Sequence, residues 1–403
     1  METEQDIVII GAGMVGAALA CAMAPGGLKI TIVDTRPPPP VSDTEFDLRV
    51  SAITRASQNI FSALDVWSFM EQKRVSPFCE MRVWDSQGNG HIHFDVAEIG
   101  EDILGWIVEN SIIQNALLDR LAQFENVKLM YPDRISGFTV NDDAVLIELA
   151  SGKQLQSRLL VGADGADSTV RQLAGISTRG WPYDQQGLVC TVRTSGHHNE
   201  MAQQVFLPTG PLAFLPVGDH TCSIVWSLSG DSAERLSSLD DETFLKELQS
   251  AFGYSLGTML DVGPRAVFPL RLQHSMEYVH PRVALIGDAA HAIHPLAGQG
   301  VNLGLADAAS LADVLMDALE QKRDIGVLPV LRKYERWRKG DNLTMMATMD
   351  GFKRLFGSQL SPVAGLRSLG LNLTNNIAPL KNMIMRRAMG LEGDLARLAR
   401  PRY

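Results

Sequence analysis

Asp288 stands two residues past the apolar run Val283–Ile286, in the segment VALIGDAAHAIHPLAGQGVNLGLAD that ends at Asp307. Such a run reads as a buried parallel strand. Gly287 lets the chain turn at its carboxyl end, where ligands of open α/β sheets lie, and Asp288 presents a carboxylate there. Beyond His294 and Pro295 come Gly298, Gln299 and Gly300, where bare backbone can approach a flat ligand. A helical pattern begins at Val301 and Asn302, so the free N–H groups of its first turn face that loop. A carboxylate for hydroxyls, glycines for close approach and a positive helix end suit a ligand with a polyol, a ring and developing negative charge. Flavin has all three. The same pattern also fits an ordinary strand–loop–helix connection.

A second set of residues has nucleotide-binding spacing. Asp6–Ile10 reads as a short strand, GAGMVG follows with Gly11, Gly13 and Gly16, a helix runs through Met23, and strand Lys29–Val33 ends at Asp34. Gly11 permits the tight turn, Gly13 the approach of a pyrophosphate and Gly16 close helix–strand packing, while Asp34 accepts bonds from a ribose. The acid disfavours a 2′-phosphate, so FAD or NAD is expected at this site rather than NADP. A third turn, with Asp164 and Gly165, follows strand Leu159–Val161 and suits phosphate or sugar, or a plain tight turn. Arg49 suits a cofactor phosphate or a surface ion pair. His91 and His93 share one face of a predicted hairpin, Met81–Trp84 with His91–Phe94. Without further ligands beside them they read as a solvated face, and no metal is expected.

Other elements must position these groups. Thr54–Leu64 is predicted helical with Thr54 as N-cap, and Ser111–Phe124 helical from near Asn110. Val127–Met130, Gly137–Val140 and Val145–Glu148 read as strands. From Gly187 the pattern changes: Leu188–Arg193, Gln203–Leu207, Leu212–Val217 and Cys222–Leu228 are strand-like and separated by turn residues, which predicts an antiparallel sheet. Asp241–Phe252 reads as a helix and Arg265–Pro269 as one more strand. The apolar strands around Phe214 and Trp226 are candidates for a substrate pocket, or plain core.

Composition narrows the class. A chain of 403 residues, 45% hydrophobic and 20% charged, is globular and large enough for more than one domain. The net charge of -10 argues against a nucleic-acid partner. Residues 331–403 depart from that balance, with 14 Lys+Arg against 5 Asp+Glu, a net of +9. Acidic Glu2, Glu4 and Asp6 stand where a secretory leader is basic, and no apolar run is long enough to cross a bilayer. Cys21, Cys79, Cys190 and Cys222 show no metal or redox spacing and read as buried thiols of a cytoplasmic protein.

Taken in order, GAGMVG with Asp34, GADGADSTVR, and GDAAHAIHPLAGQGVNLGLAD resemble the FAD-dependent aromatic hydroxylases of the p-hydroxybenzoate hydroxylase type. LRVSAI, IVENSIIQNAL, AQQVF, CSIVWSLS and RRAMGL are similar to the ubiquinone-biosynthesis branch of that family, over nearly the whole chain. The resemblance implies an α/β fold: a Rossmann-like FAD-binding domain (1–75, 101–180 and 271–330), a smaller antiparallel β-sheet substrate domain (76–100 and 181–270) and a C-terminal helical region (331–403). It implies that Gly11, Gly13, Gly16 and Asp34 hold the ADP half of FAD. Arg49, Asp164 and Gly165 serve FAD or NAD(P)H, and Asp288 holds the ribityl chain. Gly287, Pro295, Gly298, Gln299, Gly300, Val301 and Asn302 surround the flavin ring. Asn110 stands where many relatives carry Arg or Gln.

The implied activity is hydroxylation of the ring of a polyprenylated phenol, expected to be 2-octaprenylphenol, by NAD(P)H and O2 through a flavin C4a-hydroperoxide. A later ubiquinone intermediate, a soluble phenol, and a flavin-binding scaffold for other ubiquinone-biosynthesis proteins are the alternatives. His294 and Pro295 are candidates for the catalytic position, with a structural role for His294 the alternative. A substrate of that kind lives in the membrane. Met345, Met346, Met349, Phe352, Leu355 and Phe356 beside Lys353 and Arg354, and Met383, Met385 and Met389 beside Arg386 and Arg387, suit peripheral contact with the inner face of a membrane. They suit packing of a C-terminal cap equally well.

Overall fold

Five parallel strands form the centre of the computed structural model, which describes residues 3–292, 300–357 and 361–401, with backbone alone for 3, 181–184, 349, 352–357 and 361–367. Their order is Val283–Leu285, Gln154–Gly162, Thr3–Ile10, Ile30–Val33, Val127–Met130. Ile7, Val8 and Ile9 are fully buried. A strand between two parallel neighbours is covered on both faces, which is why this stretch is a continuous apolar run rather than an alternating one. Two antiparallel strands, Ile135–Val140 and Val145–Leu149, join the first half of Gln154–Gly162. Helix Met14–Met23 lies between helices Asn110–Leu121 and Gly300–Glu320. Its contact with the latter is close: a Cβ at Gly304 would fall 2.6 Å from a Val15 methyl.

The second sheet has nine strands, in the order His291–Ala292, Ala266–Ser275, Thr178–Thr194, Thr221–Ser229, Gly210–Gly218, Met201–Leu207, Glu80–Asp85, His91–Asp95, with Met259–Val262 beside Thr178–Thr194. It departs from the antiparallel expectation at one place, because Met201–Leu207 pairs in parallel with Glu80–Asp85. That partner belongs to the predicted 80–95 hairpin, which arrives from an earlier part of the chain and can enter in either direction. Helix Asp241–Phe252 covers one face, where Phe244, Leu248 and Phe252 pack with Leu212, Phe214 and Trp226. A third, three-stranded sheet (Val50–Ile53, Gly105–Glu109, Val75–Phe78) did not emerge from the sequence pattern.

The C-terminal region is helical, as expected: Leu328–Gly357, Ser361–Asn376 and Ala378–Ala388. The first helix is tied to the central sheet by Tyr334, whose hydroxyl donates to the Leu285 carbonyl at 2.8 Å. The last packs Met385 and Met389 against Val96, Ile99 and Leu104. Thr54 caps its predicted helix, accepting from the Ser57 N–H.

Candidate functional site

Strand register brings the glycine turns together. Ile10 stands opposite both Val33 and Gly162, and Gly162 opposite Leu285. Gly11–Gly13, Asp34, Asp164–Gly165 and Gly287–Asp288 therefore share one edge of the parallel sheet, at the carboxyl ends of its strands. Gly11 has φ +110°, and a Cβ there would fall 2.2 Å from the Ala163 carbonyl oxygen. A Cβ on Gly16 would fall 2.1 Å from the Gly11 oxygen. The protein itself requires these two glycines. Gly13 differs: a Cβ there meets no described atom within 4 Å. Its small size leaves open space, the shape of a cradle for a pyrophosphate. Asp34 accepts from the Ala12 N–H at 2.7 Å, which holds its carboxylate beside that cradle. Gln114, which sequence reasoning passed over, donates to the Ala12 carbonyl at 2.8 Å.

Asp288 is exposed at the carboxyl end of its strand. Crowding by protein raises its pKa, and the positive groups of His291 and Arg49 act against that rise. Arg49 lies over the Phe268 ring at 5.2 Å and makes no ion pair among the described residues. An exposed carboxylate, a guanidinium with no ion pair among the described residues and a glycine turn with open space at Gly13 suit the hydroxyls and phosphates of FAD. Held there, FAD would supply electron transfer and oxygen activation.

Behind Asp288 is a buried polar network that sequence reasoning did not find. Asp307, fully buried, accepts from the Gly287 N–H at 3.1 Å, from Arg338 Nε at 2.9 Å and from Asn342 Nδ2 at 3.1 Å, and meets His291 Nε2 at 2.5 Å. Burial opposes its charge, but His291 and Arg338 outweigh burial and hold its pKa down to about 2. Tyr278 extends the network, 3.3 Å from His274 Nδ1 and 3.4 Å from Asn342. Burial is the main cause that lowers His274 to about 4. Asp307 closes the long glycine-rich motif, but its partners lie up to 35 residues away, with no local spacing to announce them.

Asp164 is spent on its own turn, accepting from Ser168 Oγ and, at 3.1 Å, from the Val170 N–H. Gly165, at φ +80°, has open space above it. Arg171, also missed, is buried and bridges two turns, donating to the Ala289 and Ala166 carbonyls at 2.9 and 2.7 Å. Asn110 opens its helix and accepts from Ser51 Oγ at 2.7 Å. Gly300 begins the long helix, with Val301 packed against the core. Asn302 is buried; it accepts from the Thr54 N–H at 3.1 Å and donates to the Ala52 carbonyl at 2.7 Å. His294, Pro295, Gly298 and Gln299 lie outside the described residues.

A cavity of about 120 Å³ opens where the second and third sheets meet helix Ala378–Ala388. Ala52, Ile107, Leu215, Phe78, Met385 and Met389 give it an apolar wall. Ala52 and Thr54 line it too, so Asn302 ties the cavity directly to the helix after the glycine-rich loop. Phe214 and Trp226, expected near a pocket, do not line it. They sit on the opposite face of the second sheet, where Phe214 stacks on Phe252 at 3.7 Å. Their inward side is set by strand alternation, and helix Asp241–Phe252 covers that side.

Other sequence candidates resolve simply. His93 meets Glu80 at 2.6 Å and His91 is exposed. Among the described residues no cluster could hold a metal. Cys21, Cys190 and Cys222 are buried and pushed up to about 12 by burial; Cys79 is half-buried rather than buried, and burial and Glu200 raise it to about 11. No described helix is long and apolar enough to cross a membrane.

Residues 4–339 match the FAD binding domain family. The chain is 37% identical over 387 residues to the 3-demethoxyubiquinol 3-hydroxylase of Escherichia coli, covering 96% of this chain and 98% of that one. It is 38% identical to the ubiquinone hydroxylase UbiL of Rhodospirillum rubrum, covering 96% and 89%. The fold matches the crystal structure of the p-nitrophenol 4-monooxygenase PnpA of Pseudomonas putida with a TM-score of 0.79, over 96% of this chain and 99% of that one, at 17% identity. FAD is the cofactor and NAD(P)H the family's reductant. The fold, the cradle at the strand ends and these relatives place the chain among the FAD-dependent aromatic monooxygenases, in the family of ubiquinone-biosynthesis hydroxylases.

Proposed function

We propose that the protein hydroxylates the ring of a polyprenylated phenol on the route to ubiquinone, with the substrate held in the cavity beside Thr54. The observation that supports this is the cavity's size and lining. An engineered apolar cavity of about 150 Å³ takes up benzene, and this one, at about 120 Å³, is of the same order. Its wall is apolar enough to exclude water, which the oxygen chemistry that bound FAD would supply requires. In this reading Gly11, Gly13, Gly16 and Asp34 hold the ADP half of FAD, Arg49 and Gly165 attend its phosphates or the reductant, and Asp288 binds the ribityl hydroxyls. Asp164 acts by shaping its turn, and Asn110 and Asn302 by fixing the strand and helix around the ring. We keep the division into FAD-binding, substrate and C-terminal parts, with its boundaries moved to the ends of strands Val75–Phe78, Thr178–Thr194 and Ala266–Ser275 and helix Leu328–Gly357, which the expected boundaries would cut.

Two substrates are in view. The motif resemblance favours 2-octaprenylphenol. The name of the Escherichia coli relative, a 3-demethoxyubiquinol 3-hydroxylase, favours a later intermediate, and we take that as the first reading. Mass spectrometry of the quinone precursors that accumulate when the gene is deleted separates them. Accumulation of a demethoxyubiquinol supports the later step and accumulation of octaprenylphenol the earlier one. An unchanged quinone pool sinks both.

The membrane contact is proposed at a revised place. Met346, Met385 and Met389 are buried, Lys381 bonds Glu98 at 2.6 Å, and Arg386 donates to the Ile99 carbonyl at 2.9 Å, so these residues are committed to packing. The side chains of Met349, Phe352, Lys353, Arg354, Leu355 and Phe356 lie outside the description. Exposed apolar residues of the described tail include Leu369 (62%), Leu373 and Ile377, four apart, with Met383 and Ile384 on the next helix. Ile384 also lines the cavity. A prenyl tail can pass from a bilayer under this surface into the cavity without crossing water.

A further inference from the structure

We propose that the side-chain amide of Gln204 is the group that orients the substrate ring, its oxygen accepting a hydrogen bond from the ring hydroxyl. The inference rests on the reading of the cavity as the substrate site. Gln204 lies on strand Met201–Leu207 opposite Ala213, and Ala202 on the same strand and Leu215 on the next share its face by alternation. All four line the cavity. Gln204 is only 6% exposed, yet its side chain makes no hydrogen bond among the described residues. Buried amides are ordinarily paired, and an unpaired one in an apolar surround is costly.

The other polar residues of the wall are already occupied or turned away. The Thr54 hydroxyl is engaged with Ser57 and Asn302. Gln203 sends its side chain to the opposite face, as its neighbour's alternation requires. The cavity thus offers an aromatic ring apolar contact on its described sides and one uncommitted polar anchor. A single anchor on a ring hydroxyl fixes which ring carbon is turned toward the flavin. It also discriminates: a site built to bond a hydroxyl rejects the analogue that lacks one, because the buried partner is left unpaired. The carboxamide oxygen is too weak a base to take the hydroxyl proton, so its part is binding and orientation.

The test uses full-length protein loaded with FAD and two probes: a 2-methoxyphenol carrying a short prenyl chain, and the same molecule with its hydroxyl methylated. Binding is read from the perturbation of flavin absorbance, before any turnover. Gln204→Met, with Gln204→Leu as a second variant, is expected to keep parental FAD content. It should weaken binding of the phenol by about tenfold or more and leave the methyl ether within about twofold. Product per NAD(P)H consumed should fall as hydrogen peroxide rises. Phenol binding within twofold of the parent, or equal loss of both probes, overturns the role of Gln204 and leaves the proposed function standing. A parent that binds neither probe overturns both.

Discussion

His291 and Asp307 meet at 2.5 Å inside the protein, at the back of the turn that carries Asp288. Asp307 also takes the Gly287 N–H, so one buried carboxylate sets both the turn and the strand that leads into the glycine-rich loop. Removing it would leave the buried His291 ring without this partner and Arg338 with Asp341 alone, at 3.2 Å, as its counter-charge. Breaking a buried pair from one side costs about 3–5 kcal/mol. Asp307→Ala should lower stability by that order and reduce FAD retention with it. Urea unfolding of the apoprotein checks this; a loss under about 1 kcal/mol would mean that the network is not what holds the turn.

Asp288 itself should behave differently. It makes no hydrogen bond to the described protein, so Asp288→Ala should leave apoprotein stability near the parental value. A charge-assisted bond to a ribityl hydroxyl contributes about 1.5–3 kcal/mol. FAD affinity should drop by that amount, measured by flavin fluorescence titration. Parental affinity in the variant would remove Asp288 from the binding site.

The two kinds of glycine in GAGMVG make a paired prediction. Gly11→Ala puts a methyl 2.2 Å from the Ala163 oxygen at φ +110° and should damage folding. Gly13→Ala meets no described atom. It should change apoprotein stability by no more than about 0.5 kcal/mol while clearly weakening FAD binding. Thermal unfolding of both apoproteins, with FAD titration of the second, decides. If Gly13→Ala binds FAD as the parent does, the open space is not the pyrophosphate cradle.

Acid should act first on His274. Its pKa is about 4 in the folded protein against 6.5 for an ordinary histidine, with burial the main cause. The unfolded chain therefore binds the proton more readily, and stability falls as pH drops from 6.5 toward 4. Asp307, at about 2 against 3.8, adds a loss of the same sign below that window. Between pH 6.5 and 5 the His274 contribution amounts to about 2 kcal/mol. His274→Gln should flatten the decline between pH 7 and 5 by that order in urea unfolding; an unaltered slope would assign the acid sensitivity elsewhere.

Membrane contact through Leu369, Leu373 and Met383 predicts co-sedimentation with anionic liposomes. Changing the three to Asp should release the protein while FAD content stays normal. Equal binding by parent and variant would dismiss this surface.

Local pattern carried a large part of this reading. Apolar runs ending in glycine and acid are written within a few residues of each other, and backbone sterics tie each to its turn. That is why the strands at Ile7, Ile30 and Val283, the roles of Gly11 and Gly16, and the cap at Thr54 were legible in the chain. Tertiary structure alone decided the rest. Asp307 finds Arg338 and Asn342 31 and 35 residues away through packing of two helices, and no periodicity encodes that meeting. The alternation of Gln203, Gln204 and Val205 is visible in sequence, but not which side a helix will cover. The Asp241–Phe252 helix took the side of Phe214 and Trp226. The cavity formed on the other side, from the second and third sheets and a helix near the C-terminus, because an apolar pocket is a property of surfaces brought together rather than of any one segment.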